Sequence, residues 1–174
     1  DAIGRMLEIA KAADVTLCHE NEAAIYGDTP ERCLELLKQF DGQLKAVFDM
    51  GNFVLEHVNA YDAYRLLKPY IEYFHIKDSM AAGAVVPPGK GEAQIQKILT
   101  EHIASATGDT IIPLEPHLQT FSGLNALVGK SFDNPYKYSD CETAFADAVI
   151  FSGTQILTCE GSCGGGEGGD CHVG

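Results

Sequence analysis

The stretch LKAVFDMGN at residues 44–52 decides the fold, because its apolar run ends abruptly in an acidic residue and a glycine. A short apolar run bounded by turn residues is typical of a buried strand. Asp49 follows that run directly. An ionised carboxylate beside a buried strand is costly unless it is paired, protonated or bound to a metal. We therefore interpret residues 44–52 as a buried strand that carries Asp49 to a chemically active edge.

The same design recurs on both sides of this stretch. Three further apolar runs end in polar residues, namely VTLCHE at 15–20, IEYFHIKDS at 71–79 and TIIPLEPH at 110–117. Helical patterns separate the runs, over residues 2–13, from Asp28-Thr29-Pro30-Glu31 to Asp41-Gly42, over 59–70 and over about 92–105. Strands that alternate with helices of about 10–15 residues indicate βαβ units and a parallel sheet. The periodicity fits both a barrel and a doubly wound sheet.

Four ionisable side chains stand at these strand ends: Glu20, Asp49, His75 and Glu115. Any one of them alone is explained by a salt bridge or a helix cap. A parallel sheet, however, brings all of its carboxyl ends to one face, and three carboxylates meeting there would repel one another. A divalent cation removes that repulsion. Histidine with carboxylates suits Mn, Co, Zn or Fe, and mostly oxygen ligation also allows Mg.

Length and charge restrict the classes of protein. A closed eight-stranded barrel needs about 250 residues, whereas this chain has 174 and four βα units, and it begins within a helix. We therefore expect half of a longer barrel. The net charge of −13 argues against nucleic acid as a partner. No apolar run approaches the roughly 20 residues of a membrane span, and no signal-peptide pattern or disulfide framework appears, which favours a reducing cytoplasm.

The C-terminal end differs from the rest. Residues 142–150 (ETAFADAVI) fit a helix, but seven of the last fourteen residues are glycine. We predict a barrel portion over 1–155 and a Gly/Cys-rich tail over 156–174, disordered or aberrant because it cannot build a core. A zinc site is the alternative, although its spacing matches no compact motif. Its ligands would be Cys159, Cys163, Cys171 and His172.

Five ordered motifs carry a family resemblance. They are CHENEAAIYGDTPERCLELL, AVFDMGNF, YIEYFHIKDS, VVPPGKGE and PLEPHL. In this order and spacing they resemble the sugar phosphate isomerase/epimerase group of xylose isomerase-like TIM barrels, over about residues 3–150. The resemblance implies a (β/α)8 TIM barrel of which this chain holds about the last four βα units, the C-terminal half.

The resemblance also implies a site. One divalent ion (Mn, Co, Mg or Zn) would be held by the four strand-end residues Glu20, Asp49, His75 and Glu115. In epimerases of this superfamily the two metal-bound glutamates also exchange protons with the substrate, so Glu20 and Glu115 are the expected acid and base. A metal that polarises the carbonyl stabilises an enediolate.

Four further residues are candidates for substrate binding. Asn52 lies three residues after Asp49, where many relatives carry a histidine. Lys77 and His117 each lie two residues beyond a predicted ligand, so in an extended strand they face the same side as that ligand. Lys90 lies in the PPGKGE loop, in the position of a substrate clamp. The alternative for the lysines is a solvated surface charge.

The leading interpretation is a metal-dependent isomerase or epimerase of a small sugar, sugar acid or sugar phosphate. A metal-dependent phosphodiesterase of the apurinic-site endonuclease type is the alternative. It would need extra histidines and a basic face, and Asn52 and the net charge of −13 oppose it. An inactive fragment is the third reading, because half a barrel exposes two strand edges. Association of two copies into a homo-oligomer stays open.

Overall fold

The computed structural model describes residues 2–118 and 134–160, with side chains to residue 153. Three parallel strands in the order β1-β2-β3 form the main sheet: β1 (Cys18–Glu20), β2 (Lys45–Asp49) and β3 (Ile71–His75). A two-stranded antiparallel hairpin, β4 (Asp78–Ser79) and β5 (Val85–Val86), follows β3. The helices are α1 (Ala2–Ala12), α2 (Pro30–Gln39), α3 (Met50–Leu55), α4 (Ala60–Leu67), a 3-10 turn (Lys68–Tyr70), α5 (Ile95–Ser105) and α6 (Cys141–Glu160).

The core forms around the central strand β2. Phe48 is fully buried, and its ring centroid lies 5.2 Å from that of Phe53, 5.9 Å from that of Phe74 and 6.1 Å from that of Tyr64. Burying one such side chain stabilises the fold by roughly 1.5–3 kcal/mol. These rings come from β2, β3, α3 and α4, so one aromatic cluster fixes two strands against two helices.

Strand register carries the polar residues to one rim. Glu20 pairs with Val47 across β1 and β2, and Asp49 pairs with His75 across β2 and β3. At the foot of β3 the register is irregular, since Ala46 pairs with Ile71 whereas the next residue, Val47, pairs with Tyr73. The extra residue on β3 is therefore confined to the end of the strand that lies away from His75.

A fourth parallel segment runs beside β3. The amides of Phe74 and Ile76 donate to the carbonyls of Ile111 and Pro113, and the amide of Glu115 donates back to Ile76. Only Ile76 and Leu114 form a complete parallel bridge. Proline has no N–H to return to Phe74, so the ladder is interrupted there. The prediction of a regular strand over 110–117 is corrected to an extended segment with a single bridge.

Two other predicted strands end early. Residues 44–52 become a strand only to Asp49, because its carboxylate accepts the Asn52 amide at 2.8 Å and so caps α3, a helix that periodicity missed. Residues 71–79 divide into β3 and the first strand of the hairpin. The predicted helices are present with small changes at their ends, and α6 extends to Glu160 rather than ending at residue 150.

The strands of the main sheet are parallel and flanked by helices, and within the described residues they do not close into a barrel. Residues 161–174, with Cys163, Cys171 and His172, lie outside the described part of the chain. The predicted boundary at residue 155 and the predicted tail therefore stay predictions. Among the described residues, no helix combines the length and apolar character needed to cross a bilayer.

Candidate metal centre

The four strand-end residues meet at the rim of the sheet. One ligand atom from each of Glu20, Asp49, His75 and Glu115 lies within 4.8 Å of the others. His75 Nδ1 lies 2.7 Å from Glu20 Oε1 and 3.3 Å from Glu115 Oε2. The sequence-based expectation that these side chains converge is therefore met, and we call this group the strand-end cluster.

Asp49 is the buried member of the strand-end cluster, with no exposed surface. Asn21, itself buried, brackets its backbone: the Asn21 side chain donates to the Asp49 carbonyl at 2.9 Å and accepts the Asp49 amide at 2.9 Å. Asp49 Oδ1 accepts the Asn52 amide. The backbone and the carboxylate of Asp49 are thus both held in place. Because Oδ1 accepts the Asn52 amide, Oδ2 is the carboxylate oxygen that can bind a ligand. Asn21 was not predicted as a functional residue, and its position next to Glu20 is the one signal for it in the sequence.

Lys77 lies beneath the cluster and supplies its positive charge. Its side chain is 2 % exposed, and Nζ lies 3.1 Å from Asp49 Oδ2, Glu115 Oε2 and Asn52 Oδ1. Gly51 makes room for it, because a Cβ at that position would come 2.7 Å from Lys77 Cγ. The lysine is therefore seated in a slot and does not project into solvent.

The electrostatics of the cluster follow from burial and from Lys77. Burial raises the pKa of Asp49 above its usual value, although Lys77 and the Asn52 amide act against that shift. Burial also acts to raise the pKa of Glu115, but Lys77 outweighs it and leaves that pKa lowered. Lys77 itself has a raised pKa: burial lowers it, but the facing Asp49 and Glu115 carboxylates outweigh burial. Of Asp49 and Glu115, Glu115 is therefore the carboxylate more readily kept ionised.

The cluster fits a divalent cation. Asp49 Oδ2 and Glu115 Oε2 are buried and accept no hydrogen bond, and both form ion pairs with Lys77. Buried polar atoms of this kind are stabilised by a further partner. Three carboxyl groups face one ammonium, so the cluster has an excess of acidic groups that a divalent ion can balance. A histidine nitrogen with carboxylate oxygens suits Mn, Co or Zn, and the oxygen majority also admits Mg. Which ion binds, and that these residues are its ligands, stay predictions.

The four predicted substrate-binding residues have different surroundings. Asn52 is 3 % exposed and donates to the Asn21 carbonyl at 2.9 Å, and Lys77 is equally buried. His117 is exposed, and its Nε2 lies 3.3 Å from Glu115 Oε1. Lys90 Nζ lies 5.0 Å from the ring centroid of Phe151 on α6. Substrate contact by these residues stays a prediction.

Asp78 organises the neighbouring loop. Its buried carboxylate accepts four backbone amides, from Ser79 at 2.9 Å, Gly89 at 2.8 Å, Gly91 at 2.9 Å and Ala93 at 3.0 Å. Burial raises the pKa of Asp78, and these four donors act in the opposite direction. This role of Asp78 was not predicted from the sequence, because the glycine-rich spacing of the loop does not indicate where its backbone amides point.

Comparisons with known proteins agree with the fold. The profile of the xylose isomerase-like TIM barrel family matches residues 1–120. The chain belongs to this family. The match covers the N-terminal region of the chain and ends at residue 120, so it does not extend to residue 150, where the sequence analysis placed the end of the resemblance. Curated protein sequences give no significant match.

Solved structures are similar at low sequence identity. An L-ribulose 3-epimerase has a TM-score of 0.66 at 19 % identity, over 91 % of this chain and 53 % of that one. A xylose isomerase-like TIM barrel protein from Mycobacterium smegmatis, in complex with magnesium, has a TM-score of 0.56 at 23 % identity, over 67 % and 43 %. The probable 3-DHS dehydratase AsbF from Bacillus anthracis has a TM-score of 0.57 at 22 % identity, over 66 % and 47 %. The chain thus spans about half the length of these proteins.

Proposed function

We propose that this chain contributes the metal centre and the acid–base pair of an isomerase or epimerase that acts on a small sugar, sugar acid or sugar phosphate. The observation that carries the proposal is the meeting of Glu20, Asp49, His75 and Glu115 at the carboxyl ends of parallel strands in a chain of this family. In barrels of this kind that end carries the chemistry. We further propose that the chain supplies the C-terminal half of such a barrel.

Accessibility separates the roles of the three carboxylates. The side chains of Glu20 and Glu115 are each 32 % exposed, whereas that of Asp49 is fully buried. A group that takes a proton from carbon must reach the substrate, so Glu20 and Glu115 are assigned as acid and base. Asp49, held by Asn21 and Asn52, is assigned as a fixed ligand.

The chemistry is proton transfer next to a carbonyl. A divalent ion held by the strand-end cluster would supply Lewis acidity, which stabilises the negative charge that develops on the substrate oxygens of an enediolate. Glu115, whose pKa is lowered, is ionised at neutral pH and can receive the proton. His75 Nδ1 lies 2.7 Å from Glu20 Oε1 and 3.3 Å from Glu115 Oε2, so one ring nitrogen holds both glutamates at the same centre.

The likeness to an L-ribulose 3-epimerase supports a ketose as the substrate class, and the likeness to a magnesium complex supports a divalent ion. The phosphodiesterase alternative has less support. Among the described residues, the strand-end cluster is the one group of three or more acidic, histidine or cysteine side chains close enough to share an ion. Asn52 is already bonded to Lys77 and to the Asn21 backbone.

Solvent exchange tests the proposal directly. The full chain is incubated in D2O with Mn²⁺, Co²⁺, Mg²⁺ or Zn²⁺ and a panel of ketoses, sugar acids and ketose phosphates, and deuterium beside the carbonyl is followed by NMR. We expect metal-dependent exchange that Glu115→Gln and Glu20→Gln each reduce by about 10²–10⁴. Glu8→Gln, an exposed carboxylate on α1, is the control. If the chain binds metal but no panel member exchanges deuterium or is interconverted, the proposal of an isomerase is overturned. Cleavage of an abasic duplex would favour the phosphodiesterase alternative.

A further inference from the structure

Lys77 has a role that its position two residues after His75 did not reveal. We propose that its ammonium is a resident counter-cation of the strand-end cluster, which holds Asp49 and Glu115 together without metal and weakens the binding of a divalent ion. The proposal rests on the metal centre proposed above. It assigns to Lys77 control of metal affinity rather than contact with a sugar.

Lys77 Nζ donates one hydrogen bond, to Asn52 Oδ1, and forms ion pairs with Asp49 and Glu115. An ammonium has three N–H donors and no acceptor. Three acceptors surround Nζ, each at 3.1 Å: Asp49 Oδ2, Glu115 Oε2 and Asn52 Oδ1. All three acceptors belong to the protein, and at 2 % exposure Lys77 presents little surface to a substrate hydroxyl.

The two carboxylate oxygens beside Lys77 are those that a metal would need. Asp49 Oδ2 and Glu115 Oε2 accept no hydrogen bond and belong to residues of the strand-end cluster. The ammonium and a divalent ion therefore compete for the same negative charge. Like charges repel, and at an effective dielectric constant of about 20 a unit charge within a few ångströms changes a binding constant more than tenfold.

The slot for Lys77 is built into the fold. The Lys77 stem lies against Gly51, where a Cβ would come 2.7 Å from Cγ and 3.0 Å from the Lys77 carbonyl carbon. Asn52, one residue on, provides the third acceptor. The first turn of α3 thus fixes the ammonium at the base of the cluster, which is the arrangement that a permanent counter-charge requires.

Metal titration of charge-removing variants tests the inference in the full chain. Lys77→Met keeps the stem and removes the charge, Lys77→Gln keeps one donor for Asn52, and Lys77→Arg keeps the charge. Lys38→Met, an exposed lysine on α2, is the matched control. The dissociation constants of Mn²⁺ and Mg²⁺ are measured by calorimetry, and melting temperatures are measured with excess EDTA and with excess metal.

We expect Lys77→Met and Lys77→Gln to bind both ions at least about tenfold more tightly than the unchanged chain. Their metal-free melting temperatures should fall, and metal should restore most of that loss. Lys77→Arg and Lys38→Met should stay near the unchanged chain. Affinity that is unaltered or weaker in folded Lys77→Met overturns the inference. So does failure of both charge-removing variants to fold at saturating metal, because the ion should replace the missing charge.

The same data separate the two proposals. An unchanged chain that binds none of the ions overturns the metal centre itself, and with it the proposed function. An unchanged chain that binds metal, with Lys77→Met binding no more tightly, overturns only the role assigned to Lys77.

Discussion

Asp78→Asn should destabilise the protein far more than a surface charge change does. Asp78 Oδ1 accepts the amides of Ser79 and Ala93, and Oδ2 accepts those of Gly89 and Gly91. Asparagine offers one acceptor oxygen and one NH2 group. Whichever way it is turned, its NH2 faces two backbone N–H donors, so two hydrogen bonds are lost.

The magnitude follows from those two bonds. A hydrogen bond to a charged group contributes about 1.5–3 kcal/mol, so the free energy of unfolding should fall by about 3–6 kcal/mol. Domains of this kind are stable by only about 5–15 kcal/mol. The tight fit leaves little room for rearrangement, since a Cβ on Gly91 would come 2.4 Å from Asp78 Oδ1.

Urea unfolding followed by circular dichroism measures the loss, and hydrogen exchange of the peptide that contains residues 89–93 locates it. Asp109→Asn, an exposed aspartate, is the control and should change stability little. A loss below about 1 kcal/mol in Asp78→Asn, or unchanged protection of the 89–93 amides, would refute the reasoning about the carboxylate.

Three further predictions concern other parts of the chain. Burial lowers the pKa of His102, so the folded state resists its protonation and stability should fall as the pH drops below about 6.5; His102→Phe should flatten urea-unfolding stability between pH 7.5 and 5.5. Burial raises the pKa of Cys33 to about 12, so iodoacetamide at pH 8 should modify the exposed Cys141 long before Cys33, as peptide mass spectrometry would show. Gly51→Ala should cost about 1–3 kcal/mol in urea unfolding, because its Cβ would overlap Lys77.

Each of these has a clear contrary result. A pH slope in His102→Phe as steep as in the unchanged chain would contradict the first, with His57→Phe on the surface as the control. Equal labelling of the two cysteines in folded protein would contradict the second. Gly51→Ala as stable as the unchanged chain would contradict the third, and Gly108→Ala, where a Cβ meets nothing within 4 Å, is its control.

The sequence predicted correctly that Glu20, Asp49 and His75 lie at the rim of the sheet, because burial and chemistry act on the same few residues. A run such as KAVF needs a partner on each side, and the carboxylate after it must lie at the sheet edge. Parallel pairing then brings Glu20, Asp49 and His75 to one rim without further information. The location of the candidate cluster could therefore be predicted from periodicity and parallel pairing.

What the sequence did not reveal depends on side-chain direction and on single hydrogen bonds. The hairpin after β3 and the short helix α3 are too brief to show a period. Pro113 interrupts the last ladder through one missing N–H, which hydrophobic patterning does not register. Lys77 was placed on the correct side of its strand, but its burial depends on the small size of Gly51 in another element.

The irregular foot of β3 has a consequence for divergence of the chain. The extra residue there is Glu72, between the partners Ile71 and Tyr73, whereas Tyr73 to His75 stay in step with Val47 to Asp49. An insertion or deletion before Tyr73 can be taken up at that point without turning His75 away from Asp49. The number of residues between α4 and Tyr73 can therefore change during evolution, while the orientation of the His75 side chain toward Asp49 stays the same.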